Sequence, residues 1–131
     1  MSDLEKLEEM LAYWQPKLRL SDWDMKISMA PIGDMNGELA QVTLFLSRKS
    51  AHIRVSNLEG RSTPGLWPYD LENDLVHELL HAHLDTLDRC GDPKNEILQK
   101  IGLEQPIEIL SGVLCGFRRA SGHEFTWEAQ F

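Results

Sequence analysis

The fold is decided by the stretch LENDLVHELLHAHLDTLDR at residues 71–89. Its apolar residues recur at helical spacing, so the stretch predicts one long helix. Asp70 is suited to cap the start of this helix, and Gly91 is placed to end it. His77 and His81 lie between two apolar stripes, which predicts a helix packed on both flanks with its histidine face turned into a cleft. The first stripe consists of Leu71, Leu75, Leu79 and Ala82, and the second of Val76, Leu80, Leu84 and Leu87.

Within this stretch, His77-Glu78-Leu79-Leu80-His81 matches the H-E-x-x-H pattern of zinc-dependent metalloproteases. Four residues of helix rise about 6 Å and rotate by about 400°, so the two imidazoles lie one above the other and can reach one Zn²⁺ at about 2.0–2.1 Å. Glu78 lies about 60° round the helix from His81. We therefore predict His77 and His81 as metal ligands and Glu78 as the general base that meets a water on the metal.

A catalytic zinc site needs a third protein ligand and leaves its fourth position to water. Glu108 is the predicted third ligand, because it shares a helix face with the small residues Ser111, Gly112 and Cys115. Small residues favour close packing of that face, where an unpaired carboxylate would be costly. The candidates downstream of the motif are Cys90, Glu96, Glu104, Glu108, Cys115, His123 and Glu124.

Two other side chains of the long helix are close to the motif in sequence. His83 points about 200° away from His81, so it cannot share the metal and is predicted to be a partly buried residue on the back of the helix. Asp85 shares the face of His81 but lies about 12 Å along the axis from His77. It is either a hydrogen-bond partner of His81 or a solvated carboxylate.

The N-terminal half of the chain predicts the start of a single α+β domain that spans residues 1–131. A helix over 3–14 is capped by Ser2 and closed by Pro16. Three segments then alternate apolar and polar residues, as half-buried strands do. Because only a short link joins the last two, the three-stranded sheet is predicted to be partly antiparallel. The strands cover 23–29, 40–46 and 51–56, and a loop covers 57–69.

The C-terminal part predicts two more helices after the long one. A short helix covers 94–101, and the last helix covers 106–119 and begins at Pro106, a residue suited to the first helical position. Glu104 is therefore predicted to lie before that helix. The tail over 121–131 shows no periodicity.

Composition excludes several classes of protein. The 131 residues carry 13 basic and 21 acidic side chains, a formal net charge of −8, which argues against nucleic-acid binding. No apolar run approaches the roughly 20 residues of a membrane span, and the N-terminus lacks the pattern of a signal peptide. Cys90 and Cys115 are predicted to be free thiols in a reducing compartment, so we expect a cytoplasmic protein.

Two segments, residues 72–84 around the motif and residues 104–111 downstream, resemble the small zincin-like metallopeptidases of phages and prophages. With more generic strand matches, the resemblance covers most of the chain from about residue 20 to residue 117. These proteins are minimal gluzincins, in which a Glu on a helix after H-E-x-x-H completes the metal site. The resemblance implies that His77, His81 and Glu108 bind zinc and that Glu78 is the base. It also implies a peptide or protein substrate paired with an edge strand, either 40–46 or 51–56.

We expect zinc-dependent hydrolysis of peptide bonds, in which zinc polarises the scissile carbonyl and Glu78 passes a proton from water to the leaving amine. The rival hypothesis is a catalytically silent zincin-fold domain that binds metal or a protein partner. An open cleft favours the enzyme, whereas a cleft filled by the 57–69 loop or by the C-terminal tail favours the binding module. Tyr69, His123 and Arg118 are candidates for stabilising an oxyanion, although each is better explained as a structural residue.

Overall fold

A computed structural model describes residues 2–36, 38–57, 70–89 and 96–128. Over these residues the chain forms α-helices and a three-stranded sheet, which confirms the α+β class. In the same part of the chain, no helix is long and apolar enough to cross a membrane. The predicted loop at 57–69, apart from Asn57, lies outside the described residues, as do Cys90, Gly91 and Phe131. The elements in chain order are α1 (Asp3–Lys17), β1 (Asp24–Ala30), β2 (Ala40–Phe45), β3 (Ser50–Ser56), α2 (Leu71–Arg89) and α3 (Glu96–Ala120).

The sheet has the strand order β1-β3-β2, so β3 is central and β2 is an edge strand of this sheet. β1 runs parallel to β3 and β2 runs antiparallel to it, which confirms the prediction of a partly antiparallel sheet. A 3-10 turn over Leu46–Arg48 and a left-handed Lys49 with φ 48° join β2 to β3. Alternate residues of β3 are buried against the helices, and this face of the sheet carries the core. These residues are Ala51, Ile53 and Val55.

Helix α1 begins as predicted and ends later than predicted. Ser2 and Glu5 form a capping box, in which each side chain bonds the backbone of the other residue. The prediction that Pro16 closes the helix is wrong, because α1 continues to Lys17. The φ angle of proline matches that of a helix, and a proline in the last turn removes only one hydrogen bond. The buried side chain of Trp14 holds this turn against the core.

Helix α2 packs against α1, α3 and the sheet, which makes it the centre of the molecule. The side chain of Asp70 accepts a hydrogen bond of 3.0 Å from the backbone N–H of Asn73, which confirms the predicted N-cap. Where their side chains are described, both apolar stripes are buried or, at Leu84, partly buried, with Leu75 and Val76 fully inaccessible. A helix packed on two flanks leaves a narrow accessible face, and this face carries the two histidines of the motif.

Helix α3 is one continuous helix, whereas the sequence predicted two. Pro106 lies inside it instead of at its start, so the predicted boundary between a short helix at 94–101 and a helix at 106–119 is wrong. Leu103 and Ile107 pack on the core on either side of Pro106, and this packing continues through Cys115. The apolar burial outweighs the single hydrogen bond that proline removes. Glu104 consequently lies within the helix, one turn before Glu108.

A buried ion pair joins α3 and the C-terminal segment to α2. The guanidinium of Arg118 donates hydrogen bonds of 2.8 Å to both oxygens of Glu72, and it also donates to Glu128 at 2.7 Å. The indole N–H of Trp14 donates to Glu72 at 2.9 Å. These buried charges are therefore paired and hydrogen-bonded, the condition under which burial of a charge is tolerated.

Candidate metal centre

Two adjacent turns of α2 present His77 and His81 toward α3, where they meet the side chain of Glu104. The Nε2 atom of His77 lies 2.9 Å from Oε2 of Glu104, and the Nε2 atom of His81 lies 2.9 Å from Oε1. The two imidazole centroids are 5.3 Å apart. Donor atoms of these three residues all lie within 4.8 Å of one another, so the group could hold one metal ion.

The opposite nitrogen of each imidazole also meets a carboxylate. Nδ1 of His77 lies 2.7 Å from Oε2 of Glu108, and Nδ1 of His81 lies 2.7 Å from Oδ1 of Asp85. Of the two sequence interpretations of Asp85, the structure therefore supports the partner of His81. Hydrogen bonds of this kind hold a ligating histidine with its proton on Nδ1 and its lone pair on Nε2.

Each imidazole is thus flanked by carboxylate oxygens on both nitrogens. A neutral imidazole has a single N–H and can donate to only one of them. The second nitrogen can then meet its carboxylate only through an added proton or across a metal cation. A cation held between His77, His81 and Glu104 would satisfy all three side chains at once.

Glu108, the third ligand predicted from the sequence, lies one helical turn beyond Glu104, the residue that meets both Nε2 atoms. Its side chain is 60% exposed and bonds the outer nitrogen of His77, together with the side-chain amide of Asn73 at 3.2 Å. Glu108 is the predicted ligand only if its carboxylate lies on a closely packed face. Ser111 and Cys115 do lie on a packed face, but Glu108 lies at its solvent edge. The structure therefore places Glu104, and not Glu108, with the Nε2 atoms of the two histidines.

Sequence reasoning could have found Glu104 from the apolar pattern of α3. Leu103 and Ile107 are four residues apart and continue the spacing of the core positions through Pro106. A helix that continues through the proline places Glu104 and Glu108 on one face. Asn73, which sequence reasoning also missed, lies one turn before His77 on α2 and so reaches Glu108.

Glu78 is buried beside the two histidines, with 7% of its surface exposed, and it lines a cavity in front of them. Burial raises the pKa of its carboxyl to about 7, although the nearby His77 and His81 oppose the shift. For His81, burial lowers the pKa, but the hydrogen bond and charge of Asp85, together with the charges of Glu78 and Glu104, raise it more, so the net shift is upward. A carboxyl that titrates near neutral pH can both accept and release a proton there.

The third histidine of α2 and two of the three candidate oxyanion residues lie away from His77, His81 and Glu104. His83 is exposed and its Nε2 bonds the backbone carbonyl of Leu18, so it is less buried than predicted but, as predicted, away from the metal group. Arg118 belongs to the buried ion pair with Glu72. His123 stacks on Tyr13 at 4.3 Å between ring centroids. Tyr69 lies outside the described residues.

A cavity of about 740 Å³ opens in front of His77, His81 and Glu104. Residues 38–42, which include the start of β2, form one wall, and α2 and α3 form the others. The described residues that line it include six carboxylates and no Lys or Arg, so the cavity attracts cations. These carboxylates belong to Glu38, Asp74, Glu78, Asp85, Glu104 and Glu108.

No model of a known protein family, no curated protein and no solved structure matches this chain.

Proposed function

We propose that this protein is a zinc-dependent metallopeptidase of the gluzincin type. The observation that carries the proposal is the convergence of His77 Nε2, His81 Nε2 and the Glu104 carboxylate next to the buried carboxyl of Glu78. The proposal keeps the predicted motif residues and replaces Glu108 by Glu104 as the third ligand. Glu108 and Asp85 then orient the two histidines.

The donor set fits zinc. Two imidazoles and one carboxylate are a common set of protein ligands in catalytic zinc sites. When bound, zinc supplies a Lewis acid that polarises a carbonyl and acidifies water. His77, His81 and Glu104 would hold the ion. Because each imidazole donates Nδ1–H to a carboxylate, its other nitrogen is left as the ligand atom.

Glu78 supplies the proton transfers of the proposed reaction. Its carboxylate accepts a proton from the attacking water and then donates that proton to the nitrogen of the leaving amine. Burial raises the pKa of this carboxyl to about 7 in the metal-free protein, and a cation held by the two histidines would favour its ionised form, which can accept a proton. Its position on the cavity wall beside both histidines allows this role without making it a ligand.

The edge strand β2 offers a binding site for the backbone of an extended peptide. The backbone N–H of Ser56 bonds the carbonyl of Leu39 at 2.8 Å, so this facing pair is hydrogen-bonded. In an antiparallel ladder the bonded pairs alternate, so the N–H and C=O groups of Ala40 and Val42 point away from β3. Both residues line the cavity. Of the two strands considered from the sequence, β3 is paired on both sides, and β2 is an edge strand that lines the cavity, which makes β2 the strand for substrate.

The rival hypothesis of a silent binding module predicts a cleft filled by the 57–69 loop or the C-terminal tail. The described part of the tail packs around Tyr13 and Arg118 and does not line the cavity. Because this part of the tail does not fill the cavity, its placement favours the enzyme over the binding module. Residues 58–69 lie outside the described residues.

The proposal is tested by metal analysis combined with digestion of a peptide library. We expect about one zinc per chain and cleavage that is lost in Glu78→Gln, since an amide cannot act as a base. Zinc content should be unchanged in this variant. Glu38→Gln is the matched control, because it removes an exposed carboxyl from the same cavity and should retain activity. Stoichiometric zinc without cleavage would instead identify a metal-binding module, and absence of zinc uptake would contradict both the enzyme and the metal-binding form of the rival hypothesis.

A further inference from the structure

The outer face of α3, opposite the core, is apolar and exposed. Within the described chain, four of the six exposed large hydrophobic residues lie on it. Isolated apolar residues are normal on a protein surface, but a continuous group on one helix face marks an interaction site. The four residues are Ile109 at 67% exposure, Leu110 at 43%, Val113 at 48% and Phe117 at 69%.

Two glycines interrupt this face, and the fold of a single chain gives no reason for them. Gly112 and Gly116 are exposed, inside the helix and without positive φ. A Cβ atom added to either would meet nothing within 4 Å. Glycine inside a helix is about 1 kcal/mol less favourable than alanine. The two glycines thus leave two notches between large apolar side chains. Such a surface allows a second helix to approach closely.

We propose that the outer face of α3 binds the same face of a second copy of this chain, with the two helices antiparallel. A two-fold axis between Gly112 and Val113 places residues at equal distances from it opposite one another. Ile109 then lies opposite Gly116 of the second copy, and Val113 opposite Gly112. Each large side chain fits a notch left by a glycine, and the fit occurs twice because the interface is symmetric.

The two flanks of the face are complementary in the same arrangement. On one flank, Leu110 comes within about one turn of Phe117 of the second copy. On the other flank, Glu108, with a side chain 60% exposed, comes within about 3 Å along the helix axis of Arg119 of the second copy, which is 48% exposed. Arg119 already donates to Asp70 through Nη2. In a symmetric parallel pairing the flanks are exchanged, so Glu108 of each copy would instead lie on the flank of the apolar Leu110 of the other, and charge favours the antiparallel dimer.

The size of the face predicts the strength of the dimer. Residues 105–120 span about 24 Å of helix, and one helix pair of this length is at the low end of specific interfaces. We therefore expect a dissociation constant in the micromolar range, about 1 to 100 μM. Such a dimer is visible only when protein concentration is varied.

The test is analytical ultracentrifugation of the full chain between about 1 and 500 μM. The mass should rise from 15.0 kDa towards twice that value. Gly116→Leu is the decisive variant, since the added side chain has open space in one copy but collides with Ile109 of the other. It should raise the melting temperature of the monomer through helix propensity and raise the dissociation constant at least about 30-fold.

Phe45→Ser is the matched control, because Phe45 is an exposed aromatic residue on β2, outside this face, and its loss should leave the dimer intact. Val113→Cys gives an independent readout, since two copies of position 113 flank the axis and should form a disulfide-linked dimer under mild oxidation. A chain that stays monomeric up to about 500 μM would overturn the proposal and leave the face to a different partner. A dimer that Gly116→Leu does not weaken would overturn it as well.

Discussion

At the scale of single residues, the candidate metal centre depends on which side of an imidazole ring each carboxylate reaches. Glu104 meets Nε2 of His77 and Glu108 meets Nδ1 of the same ring, although the two glutamates are one turn apart on α3. The atoms on the Nε2 side converge with His81, and those on the Nδ1 side do not. Glu104 is therefore in the position of a ligand and Glu108 in that of a residue that orients a ligand.

This distinction predicts different effects of the two alanine substitutions on zinc affinity. Glu108→Ala should weaken zinc binding about 10- to 100-fold, because it removes a hydrogen bond to a ligand. Glu104→Ala should weaken it by more than about 100-fold, because it removes the ligand itself. Isothermal titration with zinc measures both values, and Glu124→Ala on the exposed C-terminal segment is the control. A larger loss in Glu108→Ala than in Glu104→Ala would reverse the assignment.

The raised pKa of Glu78 predicts a pH-dependent stability of the metal-free protein. Between its unfolded value of 4.5 and its folded value of about 7, the native state binds more protons than the unfolded state, so stability falls as pH rises. Glu78→Gln carries no titrating proton and escapes this loss. With chelator present, the variant should exceed the parent in free energy of unfolding at pH 8, by up to about 3 kcal/mol, and match it more closely below pH 4.5. Equal urea midpoints at pH 8 would contradict the raised pKa of Glu78.

At the scale of elements, the site is formed by one edge strand and two helices. The edge of β2 that points away from β3 lies along the cavity, while α2 supplies two histidines and α3 supplies one carboxylate as the third member of the group. Helices hold side chains at fixed spacing, and a free strand edge accepts an extended peptide. The division of roles follows from these properties.

Ala40→Pro tests the role of β2. The N–H of Ala40 points away from β3, so its loss should leave the ladder intact and change the melting temperature little. A peptide substrate would lose a backbone hydrogen bond, and we expect kcat/KM to fall about 10-fold with zinc content unchanged. Gln41→Pro, whose N–H points toward β3, should instead destabilise the protein. Unaltered peptide cleavage by Ala40→Pro would exclude strand pairing at this position.

At the scale of the whole molecule, α2 connects the core to the site. One flank packs on α1 and the sheet, its first turn holds the buried pair of Glu72 with Arg118, and its narrow face carries the histidines. A metal held between α2 and α3 would join two elements that already pack against each other. Metal binding and folding should therefore be coupled.

Zinc removal consequently predicts a loss of global stability. At a free zinc concentration of about 100 times the dissociation constant, binding contributes about 2.7 kcal/mol to the free energy of unfolding. For a domain of this size the melting temperature should fall by on the order of 10 °C on addition of a chelator. Calorimetry with and without chelator measures the shift. His77→Ala should melt at the same temperature in both conditions, and a shift that persists in this variant would place the metal elsewhere.

The sequence by itself determined the features that depend on local spacing. The period of two identified the three strands, the helical period identified α1 and α2, and Ser2 and Asp70 marked where these helices begin. The i, i+4 spacing of His77 and His81 is sufficient to place both imidazoles on one face of a helix. Each of these features follows from the backbone geometry of a few residues that are close together in the sequence.

The tertiary structure alone decided the features that depend on packing between distant segments. Pro106 predicted the start of a helix, but burial of Leu103 and Ile107 on the core carries α3 through it. Because the helix is continuous, Glu104 faces the histidines of α2, and the position of α3 against α2 decides which glutamate reaches Nε2. The raised pKa of Glu78 likewise arises from its burial in the folded chain. No local pattern encodes such contacts, since their energy comes from residues far apart in the chain.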